Sequence, residues 1–129
     1  MKTGQLSPQT VVIKVVEDNN DLTTGDGKTR FTIPERLDRM NLTTIAGHVY
    51  TTSSSANISI ALYNITDSQD MLSTNLIIDA GEKDSITSST ACVINTSYDD
   101  VVTADELRID CDVAGTNTKG LELRLTFSP

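Results

Sequence analysis

Two runs in the last third of the chain alternate apolar and polar residues without a break. They are Leu107-Arg108-Ile109-Asp110-Cys111-Asp112-Val113 and Leu121-Glu122-Leu123-Arg124-Leu125-Thr126-Phe127. Side chains on a strand point to opposite faces with a period of two, so each run sends a row of aliphatics into a core and a row of charges into water. Between the runs, residues 114–119 hold Gly115, Asn117 and small hydroxyl residues, which favour a turn. Such strands belong to antiparallel sheets with one wet and one dry face. A packed sandwich buries the dry face.

The rest of the chain agrees with that class. At 129 residues it has enough material for one core but not two. Ser and Thr are abundant throughout, which suits pleated surfaces and turns, and no stretch keeps a helical apolar period over three turns. The expected fold is all-β, an antiparallel sandwich of about eight strands. Residues 1–9 are expected to form a flexible N-terminal arm, and residues 10–129 a single sandwich domain.

Strands are predicted over residues 10–16, 28–33, 42–51, 57–65, 73–79 and 84–88, followed by the final pair. A short apolar piece lies at 91–94. Polar loops are predicted at 17–27 and 67–70, a helical turn after Pro34 over 35–40, and a long connection over 95–106 with room for another helical turn. Ala80-Gly81-Glu82 suits a hairpin turn. In the first strand Val11, Ile13 and Val15 share one face, while Val12, Lys14 and Val16 make the other more apolar than solvent requires. That strand is expected to be central, or covered by a neighbouring subunit. Eight strands in two sheets suggest a jelly roll, with an immunoglobulin-like sandwich as the alternative.

The net charge of −8 excludes nucleic acid and anionic membrane surfaces as natural partners, because the ten basic residues are scattered. Met1-Lys2-Thr3-Gly4 leads into polar residues rather than an apolar signal core, so the chain is expected to be made in a cytoplasm. Cys111 takes a core-facing position, as a buried free thiol does. A Cys92–Cys111 disulfide is the alternative if the two strands adjoin.

Candidate chemistry is sparse. His48 is the sole histidine, on the face opposite Ile45, Gly47 and Val49, with neither a nucleophile nor an orienting partner nearby in sequence. Carboxylates gather at Asp18 to Asp26, at Asp67 with Asp70, and at Asp99-Asp100 with Asp105. Calcium favours such loops, but the EF-hand pattern is missing, so solvated acids and no metal or cofactor are expected. Four Asn-X-Ser/Thr triplets, at Asn41, Asn57, Asn64 and Asn95, carry little meaning in a chain so rich in hydroxyls. Tyr50 and Tyr63 fall opposite the aliphatic rows, where they suit a subunit interface better than a sugar platform. The candidate interface residues are therefore Tyr50, Tyr63, His48, Val12 and Val16.

Three stretches carry a family resemblance. The first is Leu22-Thr23-Thr24-Gly25-Asp26-Gly27-Lys28 leading into Phe31-Thr32-Ile33-Pro34. The second runs from Asn64-Ile65-Thr66-Asp67 through Met71-Leu72-Ser73-Thr74 to Ile78-Asp79-Ala80-Gly81-Glu82. The third runs from Asp99-Asp100-Val101-Val102-Thr103 through Leu107-Arg108-Ile109-Asp110 to Val113-Ala114-Gly115-Thr116 and Lys119-Gly120-Leu121. Together they resemble a small jelly-roll-like β-sandwich domain of tailed-bacteriophage virion proteins. The resemblance spans about residues 11–127 and brings no catalytic residues. It implies a non-enzymatic virion structural protein, a capsid decoration or head-fibre subunit, assembled as a homotrimer on a major capsid or other virion protein. The N-terminal arm would serve attachment. The alternative is a tail-associated receptor- or glycan-binding module.

Overall fold

The computed structural model describes residues 7–129. Among the described residues there are ten strands rather than about eight; in chain order they are β1 (Gln9–Asp21), β2 (Gly25–Thr32), β3 (Asn41–His48), β4 (Ile58–Asn64), β5 (Gln69–Asp70), β6 (Leu72–Thr74), β7 (Leu76–Ile78), β8 (Val93–Ile94), β9 (Glu106–Val113) and β10 (Lys119–Ser128). The first sheet has the order β1-β10-β3. The second has the order β2-β9-β4-β5, with β7 also paired to β4, and β6 and β8 form a small ladder. All ladders are antiparallel.

The pairings are nested. β1 pairs with β10, β2 with β9 and β4 with β7, while β8 lies against β3. A long antiparallel ribbon rolled into two sheets gives this order, which is the jelly-roll wind. An immunoglobulin-like sandwich puts its first and last strands in opposite sheets. Here they pair from Gln9↔Phe127 onward, so the jelly roll is the architecture. Residues 114–118 consequently carry the chain from the second sheet to the first.

The alternating runs account for the core. Leu121, Leu123, Leu125 and Phe127 of β10 and Leu107, Ile109 and Cys111 of β9 are buried, together with Ile58, Ile60 and Leu62 of β4. Burying such a side chain contributes about 1.5–3 kcal/mol, against roughly 0–1 kcal/mol for an exposed ion pair. The inward row of β10 therefore governs that strand's placement more than its charges do.

Several expectations need correction. Residues 1–6 of the expected arm lie outside the described residues, and Gln9 already belongs to β1. The predicted loop at 17–27 is mostly strand: β1 runs to Asp21, reaching Lys119 across two irregularities, and β2 begins at Gly25. Backbone pairing holds this exposed extension, and no apolar alternation announces it. β1 is an edge strand rather than a central one. The register shift between Lys14 and Val16 turns Val16 inward onto the core beside Val15. Residues 84–88 form a 3-10 turn (Ser85–Thr87), because the Asp84 carboxylate accepts the Ile86 N–H at 3.0 Å and caps it. Ala80-Gly81-Glu82 is accordingly a turn without a hairpin partner for β7. The 67–70 loop contains β5, which folds back on the end of β4. The predicted turn after Pro34 is the 3-10 turn Glu35–Leu37, with Leu37 and Met40 buried. Residues 95–106 contain no helix, only turns such as Tyr98 N–H to the Asn95 carbonyl at 2.9 Å.

Both cysteines are free thiols. The Cys92 thiol donates to the Thr74 carbonyl at 3.3 Å, and Cys111 sits in the core row of β9. Burial pushes each thiol up to about 11. Since the thiolate is the reactive form, neither cysteine is expected to react with a disulfide reagent such as DTNB near neutral pH in the native state. Both are expected to react once the chain is unfolded in denaturant.

Candidate binding face

The outer face of the first sheet presents three ordered ranks. Register places Thr10, Thr126 and Thr44 in one rank, Val12, Arg124 and Ala46 in the next, and Lys14, Glu122 and His48 in the third. Beyond the third rank the strands lead to Asp18, Gly120 and Tyr50. The first two ranks are nearly neutral. The Thr10 and Thr126 hydroxyls hydrogen-bond each other at 3.0 Å, and Val12 is 59% exposed. The third rank is charged, so the face is divided along its length.

A carboxylate from outside the sheet neutralises its arginine. The segment after Gly81 folds back over β3: Val49 N–H donates to the Lys83 carbonyl at 2.8 Å, and Gly47 N–H donates to Ser85 Oγ at 2.9 Å. These bonds carry Asp84 onto the sheet. Arg124 Nη2 then donates to both Asp84 oxygens at 3.1 Å, and His48 Nδ1 lies 2.9 Å from Oδ2. A carboxylate accepts only, so Nδ1 carries the proton, and Nε2 has no hydrogen-bond partner among the described residues. Burial alone would raise the Asp84 carboxyl, but hydrogen bonds from Arg124, His48 and the Ile86 N–H hold it below its ordinary value of 3.8.

That shift has a consequence for acid stability. A depressed carboxylate contributes stability that is complete above its unfolded-state value and fades as pH falls through the lower folded-state value. Asp84→Asn is expected to cost about 1 kcal/mol at neutral pH. The gap between the two proteins in urea titrations should close as the pH falls below 3.8.

At the charged end a pocket of about 180 Å³ opens among Lys14, Asp18, His48, Tyr50, Lys83 and Glu122, floored by Leu121. Gly120 makes it possible. Its φ is +74°, and a Cβ there would lie 3.0 Å from Tyr50 Cβ and 3.2 Å from the Asp18 Cα. Only a glycine lets Tyr50 and Asp18 converge on β10 from both sides. Lys14 pairs with Asp18 at 2.7 Å, the Lys83 ammonium stands 5.6 Å from the Tyr50 ring centroid, and Tyr50 itself is 54% exposed. A wider groove of about 770 Å³ lies at the opposite end, between Gln9, the Glu35–Leu37 turn and Pro129. Among the described residues no aromatic lines it.

The outer face of the second sheet is built differently. Arg108 of β9 grips Asp110 through Nε and Nη2, both at 2.8 Å, and its guanidinium lies 4.5 Å from the Tyr63 ring centroid. Gly27 N–H also donates to Asp110 at 2.8 Å. Nearby, buried Asn64 and Asp105 hydrogen-bond at 3.3 Å, and Asp105 accepts the Val102 N–H at 3.1 Å. Burial and the like charges of Asp105 and Asp100 raise the Asp67 carboxyl beside them. These groups are engaged in holding turns. Among the described residues no three His, Cys, Asp or Glu side chains converge as metal ligands do.

No family model, curated protein or solved structure matches the chain. The site therefore rests on its geometry. Of the five candidate interface residues, Val12, His48 and Tyr50 lie together on the first sheet's outer face. Tyr63 lies on the far side of the sandwich under Arg108, and Val16 faces the core. Sequence reasoning missed Lys14, Asp18, Lys83, Asp84, Gly120, Glu122 and Arg124 as members of this face. Alternation puts Glu122 and Arg124 on one side of their strand, but it does not name the strand beside them. The Asp84-Ser85-Ile86 cap signals the local 3-10 turn, but not the strand beside which it lies.

Proposed function

We propose that this chain is a non-enzymatic structural subunit of a tailed-phage virion, of the capsid-decoration or head-fibre kind. It assembles as a homotrimer, binds the major capsid or another virion protein, and is made in the cytoplasm of the bacterial host. The observation that carries the self-association is the neutral half of the first sheet's outer face. A chain of net charge −8 repels copies of itself over most of its surface. That repulsion is weakest at the Thr10 and Val12 ranks, where the one charge, Arg124, is cancelled by Asp84. The edge of β1 beside them has no strand partner among the described residues. The jelly-roll wind and the resemblance to phage virion domains support the structural role. Stabilisation of the shell follows from mass action, since a ligand of the assembled lattice alone shifts the equilibrium toward it.

Light scattering on a sizing column tests the assembly. The wild-type protein is expected to have the mass of three chains, and Val12→Glu that of one, while Tyr63→Ala stays trimeric. A wild-type monomer at every concentration would remove the trimer. Cosedimentation with empty capsids tests the partner, and protein lacking residues 1–6 is expected to stay in the supernatant. The second reading, a tail-associated receptor- or glycan-binding module, is favoured by the Tyr50 pocket.

A further inference from the structure

We propose that the pocket at the charged end of the first sheet binds a single neutral sugar residue, with Tyr50 as its stacking platform. This deepens the receptor-binding reading and depends on neither the trimer nor the capsid.

The chemistry of the lining selects the ligand class. Lys14 and Lys83 are matched by Asp18 and Glu122, and the Asp84 charge is taken up by Arg124. The pocket is thus close to neutral. An anion would meet two carboxylates, and a cation two ammonium groups. An apolar ligand would find little beyond the Tyr50 ring, since the Leu121 side chain is turned into the core. A polyhydroxylated ring uses what is there: hydroxyls take both donors and acceptors, and the C–H face of a pyranose covers an exposed aromatic.

Two polar groups are also left open among the described residues. Glu122 makes no hydrogen bond to any described side chain, although it stands in register between Lys14 and His48. His48 commits Nδ1 to Asp84, which fixes the ring and leaves Nε2 to a ligand. Rigid placement of this kind lowers the ordering cost of binding. The Tyr50 backbone is held beside Gly120, its N–H donating to the Lys119 carbonyl at 3.0 Å. Size sets the final limit. Drug-sized ligands occupy about 300–1,000 Å³, so a pocket of about 180 Å³ suits one ring of a glycan, with the rest of the chain in solvent.

The test is a titration of the full-length protein, followed by amide shifts in ¹H–¹⁵N spectra, with the methyl glycosides of glucose, galactose and N-acetylglucosamine. Inorganic phosphate serves as the anionic comparison. At least one glycoside is expected to give saturable shifts at Asp18, Tyr50, Lys83 and Gly120. Tyr50→Ala should weaken it at least about tenfold, and Glu122→Gln should weaken it too. Tyr50→Phe should retain stacking, and Tyr63→Ala should change nothing. The proposal is overturned if no glycoside gives saturable shifts, if Tyr50→Ala leaves them unchanged, or if phosphate alone binds. Because Tyr50 is exposed, its variants are expected to fold, and an unchanged mass on the sizing column would separate failure here from failure of the assembly.

Discussion

Arg108→Ala is expected to lower the unfolding free energy by about 3 kcal/mol, the scale for stranding one member of a buried ion pair. Asp110 is only 5% exposed, although it belongs to the row of β9 that alternation assigns to water. Two hydrogen bonds from Arg108 and one from the Gly27 N–H compensate it. Removing the guanidinium leaves a buried carboxylate with one backbone donor and strips the cover from Tyr63. Urea denaturation measures the loss directly, and the slope should be unchanged because the folded core is untouched. The double variant Arg108→Met/Asp110→Leu should recover most of the stability, since replacing both charges removes the desolvation cost that the single change exposes. A single variant as stable as the wild type would mean that water reaches Asp110 and that the pair is a surface interaction.

The same residue marks the limit of what the sequence could convey. The dry rows of β9, β10 and β4 were legible because burial of aliphatics follows the strand period directly, as Leu121, Leu123, Leu125 and Phe127 illustrate. Asp110 was not, because its burial comes from Arg108 two residues away on the same face and from Gly27 on a neighbouring strand. Period two identifies a face; it does not identify the neighbour. For that reason the jelly roll was legible as an architecture, but the nested pairing of β1 with β10 was not. The polar tail of β1 and the fold-back of Asp84 onto His48 were hidden for the same reason. Both depend on a partner remote in sequence: Lys119 for Asp21, and Arg124 for Asp84. The candidate face was half visible, through Val12, His48 and Tyr50. Its charged half appears only once β1, β10 and β3 are laid side by side.

Gly115→Ala should be about as damaging, near 3 kcal/mol, through a left-handed backbone strain of roughly 1–2 kcal/mol and an overpacking cost of similar size. Gly115 has φ +73° in the segment that crosses from β9 to β10, and an added Cβ would collide with the Ser53 hydroxyl and press on Thr118 Oγ1. Ser53 has nowhere to go. It is fully buried, its Oγ accepts the Thr116 N–H at 2.8 Å, and it has the Ser55 and Ala56 carbonyls at 2.6 and 2.7 Å to donate to. This clasp ties the β3–β4 connection to the crossing between sheets, reinforced by Ser54 N–H to the Thr116 carbonyl at 2.9 Å. Thr118 supplies the internal comparison. Its Oγ1 is buried with no hydrogen-bond partner among the described residues, so Thr118→Val should be neutral or stabilising by up to about 1 kcal/mol. Opposite signs at two residues of one clasp would assign the cost of Gly115→Ala to shape rather than to general intolerance of the crossing. Because β10 begins just beyond it, a displaced crossing should also shift Gly120 and loosen the approach of Tyr50 to Asp18. The Gly115→Ala protein, studied below its melting temperature, is therefore expected to show altered amide shifts at Tyr50 and Asp18 while those of Arg108 and Tyr63, in the other sheet, stay in place.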